Sequence, residues 1–279
     1  MRLNFVCVVT TAALLPVLGA AQPTNKPANT ASVKRTADGH ADLSGVWAFG
    51  IDLPPGGLKS EVNGAVAIKT VDQSARRPAK TAVPGAMPFT ATPSYKPEYL
   101  AKVKDLSDHE SKTDEVFYCG KPGIPRIGSP RKIVQTPGEV IFFYEDISGD
   151  PYRIIPTDGR PHRANGNPSY YGDSVGHWEG DTLVVDVTGF NEKTWLVGTG
   201  TFHTDALHVT ERYTRVDKDQ INYDITIEDP NVLTKPWVIH TNLMLRDGTR
   251  LQEYVCAENN LAPAFYERMQ KNGINFQRP

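Results

Sequence analysis

Glu211 is the residue of this chain whose placement most invites chemistry. In Leu207-His-Val-Thr-Glu-Arg-Tyr213, residues Leu207, Val209, Glu211 and Tyr213 share one side of a strand, and His208, Thr210 and Arg212 share the other. The apolar set faces inward and carries a carboxyl group with it. Desolvation raises the pKa of such a group unless a cation is near, and a carboxyl group held that way can act as a general base. The structural alternative is a buried ion pair with Arg126 or Arg131, because structural pairs perturb carboxylates as catalytic sites do. His203 lies in the loop Gly198-Thr-Gly-Thr-Phe-His-Thr-Asp205, where a rim position suits proton transfer; a solvated loop histidine is the alternative. Tyr170 completes the candidate acid–base set, and Tyr171 stands beside it at the mouth of a cavity, unless both tyrosines simply pack. Trp178, Trp195 and Tyr213 suit ligand platforms. Arg160 and His162 follow a turn and suit either an anionic group or plain surface charge. Asp181 and Asp186 are expected to serve turn and strand-end hydrogen bonds.

Several chemistries lack their parts. The chain has no Gly-x-Ser-x-Gly elbow, phosphate loop or dinucleotide fingerprint, which removes serine esterase, NTPase and nicotinamide readings. It has no His-Glu-x-x-His, and His203, His208 and His240 fall on different strand faces and loops, so neither a metal nor another cofactor is expected. Beyond Cys7 in the amino-terminal apolar run, the cysteines are Cys119 and Cys256. In an exported chain they are expected to form a disulfide, with two buried thiols as the alternative.

These residues must be held by strands. Met1-Arg2, the apolar run Leu3 to Leu18 and Gly19-Ala-Ala21 read as a secretory signal cleaved after Ala21. The expected product is periplasmic or secreted, with no membrane attachment after cleavage. Residues 22–40 read as a flexible leader, 41–260 as one β domain interrupted by a loop-rich insertion at 52–94, and 261–279 as a tail with a helix over 262–273. The 279 residues carry 30 Lys+Arg against 32 Asp+Glu, so no excess cation exists to hold nucleic acid. With 23 Gly and 22 Pro, long helices are disfavoured. A short helix is expected over Pro97–Leu106 with Leu100, Val103 and Leu106 on one side, and a weak helical pattern lies near Glu61–Thr70. Strands are expected at 46–51, 133–135, 140–144, 152–155, 174–178, 182–187, 207–216, 221–227, 237–245 and 251–255. Sequential strands joined by tight turns predict a mainly β, antiparallel up-and-down barrel or strongly curled sheet, lipocalin-like, which closes its edges and can hold a ligand.

Gly45-Val-Trp47 at the first strand resembles the lipocalin signature, in which the indole closes one end of the barrel. A wider resemblance rests on Asp42-Leu-Ser-Gly-Val-Trp47, Ile133-Val-Gln-Thr-Pro-Gly138, Asp158-Gly-Arg-Pro-His162, Trp178-Glu-Gly-Asp-Thr-Leu-Val-Val-Asp186, Lys193-Thr-Trp-Leu196 and Ala206-Leu-His-Val-Thr-Glu-Arg-Tyr213. Together these are similar to a large group of exported bacterial proteins of undescribed activity. Val197 departs from the Asp that many members carry after Trp-Leu. The resemblance implies a lipocalin-like fold and no particular reaction.

Three function classes follow. The first is a cofactor-independent acid–base enzyme of lyase or isomerase type, performing elimination or carbon–carbon cleavage on a small apolar or aromatic molecule with Glu211, His203 and Tyr170. The second is a lipocalin-like carrier of such a molecule. The third is a structural or surface-interaction module, favoured if side chains fill the interior.

Overall fold

The computed structural model describes residues 33–49, 58–62, 65–69, 93–146, 151–253, 255, 256, 264, 268, 271 and 272. The expected signal segment, the leader as far as residue 32 and nearly all of the tail lie outside the described residues; Ala264, Arg268 and Lys271, within the tail, are helical.

The described elements run β1 (Gly45–Phe49), β2 (Leu58–Val62), β3 (Ala65–Lys69), α1 (Leu100–Asp108), α2 (Glu110–Thr113), β4 (Lys132–Thr136), β5 (Glu139–Phe143), β6 (Tyr152–Pro156), β7 (Asp173–Glu179), β8 (Thr182–Thr188), β9 (His208–Asp217), β10 (Gln220–Glu228) and β11 (Trp237–Leu245). Nine strands form one antiparallel sheet in the order β6-β5-β4-β1-β11-β10-β9-β8-β7. The fold is therefore mainly β, a nearly closed barrel-like sheet with few short helices, as a lipocalin-like barrel requires. Two meanders, β4 to β6 and β7 to β11, are joined by β1, which pairs Trp47 with Leu245 on one side and Gly45 with Ile133 on the other. The sheet curls until β6 meets β7. There Arg153 donates to Ser174 Oγ from Nε and Nη2 at 3.2 and 2.8 Å. Gly176 permits the approach, since a Cβ on it would stand 2.9 Å from Ile155 Cγ2.

Period-two alternation explains which side chains enter. Val209, Glu211, Tyr213 and Arg215 of β9 are buried, as are Ile221, Tyr223, Ile225 and Ile227 of β10. The apolar and tyrosine members pack with Trp47, Phe142, Ile155, Leu183, Val185 and Leu243 into one core. Each such apolar side chain contributes roughly 1.5–3 kcal/mol when fully buried. Trp47 is fully buried: its indole N–H donates to Leu43 O at 2.9 Å, and the Arg215 guanidinium lies 5.2 Å from the ring centroid. Cys119 and Cys256 are joined by a disulfide that spans 137 residues, with Cα atoms 5.6 Å apart.

Four expectations are corrected. Residues 251–253 are not strand, because β1 already occupies the place beside β11. Where a helical pattern is expected near Glu61–Thr70, the described residues are instead the antiparallel pair β2 and β3, with Val62 paired to Ala65. Residues 33–40 of the expected leader are pinned to the barrel, with Arg35 forked onto Asp181 at 2.8 and 2.9 Å and His40 stacked on Trp178. The short helix is present as a 3-10 turn at Pro97–Tyr99 followed by α1, but Leu100 faces solvent while Val103 and Leu106 pack on the core.

Candidate functional site

Glu211 occupies the barrel interior with no exposed surface. Its Oε1 accepts from Tyr213 OH at 2.9 Å and from Tyr223 OH at 2.7 Å. Its Oε2 lies 2.7 Å from Arg153 Nη1, an ion-pair contact off the hydrogen-bonding direction. The partner is thus Arg153, not Arg126 or Arg131: Arg126 is forked onto Asp114 and Arg131 engages Glu145. Arg153 also donates to Tyr144 OH at 3.1 Å. The Tyr213 and Tyr223 rings stack 4.5 Å apart, and Phe142 meets Tyr213 edge-on. Burial works to lower the Arg153 pKa, but the charge of Glu211 and the facing Tyr144 and Tyr213 outweigh it, so the guanidinium is held ionised. Burial, with Glu211 adding to it, lifts Tyr213 and Tyr223 well above their ordinary values, and Tyr144 is pushed up to about 12 by burial. All three phenols keep their protons. Stripping water from each of two charges costs several kcal/mol, so this network persists only because every member is answered by another.

The opposite arrangement stands where β8 ends and β9 begins. His203, expected at a solvated rim, is only 2% exposed. Its Nδ1 faces the Thr204 carbonyl at 2.9 Å, and a carbonyl can only accept, so Nδ1 carries the proton. Nε2 then presents a lone pair, and the Thr194 hydroxyl donates to it at 2.8 Å. Burial lowers the His203 pKa, outweighing Thr204, Asp229 and Glu192, and keeps the imidazole neutral. Thr204 is fixed in turn by buried Asp229, which accepts from its backbone N–H at 2.6 Å and its hydroxyl at 3.0 Å. A base, a hydroxyl and an orienting group are thus aligned.

Four of the predicted site residues meet around the segment 114–126. Thr194 packs directly on Gly123, whose missing side chain makes room for it. Trp195, beside Thr194, lies 5.8 Å from the Arg126 guanidinium. The Tyr170 hydroxyl donates to Glu115 Oε2 at 2.9 Å, and that bond, then burial, raises its pKa, so Tyr170 stays a proton donor. Lys121 is exposed with its ammonium 6.0 and 5.8 Å from the Tyr170 and Tyr171 rings. Ser169 bridges Phe190, whose ring meets His203 edge-on at 6.1 Å, so the tyrosine loop and the imidazole share one neighbourhood.

The remaining predicted residues lie elsewhere. Trp178 sits at the turn end of the β7–β8 hairpin under His40, their rings 4.6 Å apart and nearly parallel, so the amino-terminal arm covers the expected ligand platform. Tyr213 belongs to the Glu211 network. Arg160 is exposed and grips Asp158, whose carboxyl it holds down at about 2. His162 lies between Asp173 and Asp186. Asp186, expected at a strand end with a structural hydrogen bond, accepts from two imidazoles, those of His162 and His208. His208 and His240 pair with Asp186 and Asp224 respectively, and among the described residues no group of His, Cys, Asp and Glu is arranged to hold a metal ion. Sequence reasoning missed Thr194, Glu115, Lys121 and Arg153; the Lys193-Thr-Trp-Leu196 segment was the one visible signal for Thr194.

Comparison with protein-family models, with curated proteins and with solved structures yields no match. The functional reading rests on the chemistry of the loop end. Among the described residues no helix is long and apolar enough to cross a membrane.

Proposed function

We propose that the protein is an exported, cofactor-independent acid–base enzyme of lyase or isomerase type, acting on a small apolar or aromatic molecule. The observation that carries this is the Thr194–His203 pair: a neutral imidazole, fixed in one tautomer, whose free lone pair is answered only by a hydroxyl donor. A substrate that takes the place of the Thr194 hydroxyl meets a base ready to remove a proton, and Tyr170 supplies the acid. The aromatic rings of Tyr170, Tyr171 and Trp195 suit an aromatic substrate, and Lys121 suits an anionic substituent on it. Elimination and carbon–carbon cleavage need only these parts. Export and membership of the exported bacterial group are part of the proposal, supported by the disulfide and by the amino-terminal sequence.

A non-catalytic reading is favoured by one observation, that side chains fill the barrel interior and its polar groups satisfy one another around Glu211; a bound molecule makes it the carrier, and none the structural module. Native mass spectrometry of the mature protein from its host identifies a copurifying molecule, and incubation with that molecule separates the readings. An enzyme converts it, and His203→Gln slows conversion by about 10²-fold while leaving the fold intact. Recovery of the unaltered molecule from the parent protein overturns the enzyme and supports the carrier.

A further inference from the structure

On the outer face of the barrel, five side chains from four strands and a loop alternate between imidazole and carboxylate. His162, in the connection 157–172, points Nδ1 at Asp173 Oδ2 of β7 at 3.0 Å and Nε2 at Asp186 Oδ1 of β8 at 2.6 Å. Asp186 Oδ2 lies 2.6 Å from Nε2 of His208 on β9, and His208 Nδ1 is 3.5 Å from Glu228 Oε2 of β10. Arg163 closes the row, its Nε and backbone N–H donating to Asp173 at 2.7 and 2.9 Å.

A carboxylate accepts and cannot donate. An imidazole with a carboxylate against each nitrogen makes two hydrogen bonds only when both nitrogens are protonated. In that state the His162 imidazolium stands between the carboxylates of Asp173 and Asp186, and Arg163 adds a second cation against Asp173. Removing the proton from His162 replaces one charge-assisted bond with a lone pair aimed at an anionic oxygen. We propose that His162 is a pH-operated latch, fastening the connection 157–172 to the outer face of β7 and β8 while doubly protonated and releasing it when one proton is lost. The same connection carries Tyr170 and Tyr171, so release loosens the segment that supplies the proposed acid. The latch does not depend on the acid–base reading, because its hydrogen bonds lie in the connection itself and its test reads that connection.

The pKa of His162 is raised despite its partial burial, because Asp186 and Asp173 together outweigh desolvation, in keeping with the two-carboxylate geometry. The test uses nitrogen-labelled full-length mature protein. Ring-nitrogen NMR should find His162 doubly protonated at pH 6.5, with a midpoint above that of an unperturbed histidine. Exchange protection of the Arg163 amide, corrected for intrinsic rates, should fall at least about tenfold across the same midpoint. In His162→Gln that protection should be low and independent of pH, and in Asp186→Asn the His162 midpoint should move down. A His162 that titrates at or below the ordinary range overturns the latch. So does an Arg163 amide that keeps its protection through the titration.

Discussion

Glu211 and His203 are both buried titratable groups, and the difference in their surroundings separates a structural keystone from the group that the proposed function makes its base. The Glu211 carboxylate is engaged on both oxygens by groups that cannot give way cheaply: a buried guanidinium and two stacked phenols. The His203 imidazole is fixed through Nδ1 by a carbonyl, while Nε2 meets a single hydroxyl, the partner that a substrate replaces in the proposed function. Burial alone therefore does not mark a reactive group. What marks it is burial with one valence left to a weak and exchangeable donor.

The largest expected effect breaks the keystone. Arg153→Ala leaves Glu211 without its cationic partner, held only by the two phenols, and should cost about 3–5 kcal/mol by denaturant unfolding. Glu211→Gln should also destabilise strongly, since it strands the guanidinium. The double variant Arg153→Ala with Glu211→Gln should lose less than the two single losses together, because no unpaired charge remains. If Glu211→Gln instead kept the parent's stability and lost turnover, the comparison would reverse and Glu211 would be the base.

The disulfide sharpens the same contrast at a smaller scale. Cys119 lies in the segment that frames Thr194, Trp195 and Tyr170, far in sequence from its partner Cys256. Replacing both by Ser should cost about 2–4 kcal/mol. The loss should appear as faster amide exchange in residues 114–126 and 194–204 before it appears in β9 and β10. Thiol titration of denatured, unreduced protein should find no free thiol from this pair. Uniform loosening of barrel and loops alike would remove the distinction between the two regions.

Legibility in the sequence follows the same line. The inward set of β9 and β10 is plain, because one face of each strand is packed and the alternation is unbroken. The partner of Glu211 is hidden, because β6 reverses the usual pattern: Tyr152 and Ile154 are 62% and 51% exposed while Arg153 turns inward. A hydrophobic pattern read in the ordinary sense assigns that strand to the wrong face. Leu251-Gln-Glu-Tyr-Val255 follows the Asp247-Gly248 turn as a paired strand would, yet pairing is decided by which edge is vacant, and β1 already stands beside β11. The gathering of Asp173, His162, Asp186, His208 and Glu228 depends on the register of four strands with a loop, which no local spacing encodes. His203 was visible as a titratable loop residue, but its tautomer and its hydroxyl partner emerge only once the segment 194–204 folds back on itself.

The smallest expected effect sets the two perturbed histidines against each other through pH. An unfolded histidine titrates near 6.5. His203 is depressed in the folded state, so its contribution to stability is present above about pH 6.5 and is lost as pH falls through its folded value, where the buried ring must charge. His162 is raised, so its contribution is full below about pH 6.5 and is lost as pH rises through its folded value. The two limbs of the stability profile therefore belong to different regions, the acid limb to the loop end and the alkaline limb to the outer face. Measured as unfolding free energy from pH 5 to 9, His203→Gln should flatten the acid side and His162→Gln the alkaline side. The His162 change should be no more than about 1 kcal/mol, since the group is partly solvated and screened. Both variants following the parent's curve on both limbs would mean that neither imidazole changes its proton affinity on folding. The loop end would then lose its neutral base and the outer face its latch by one measurement.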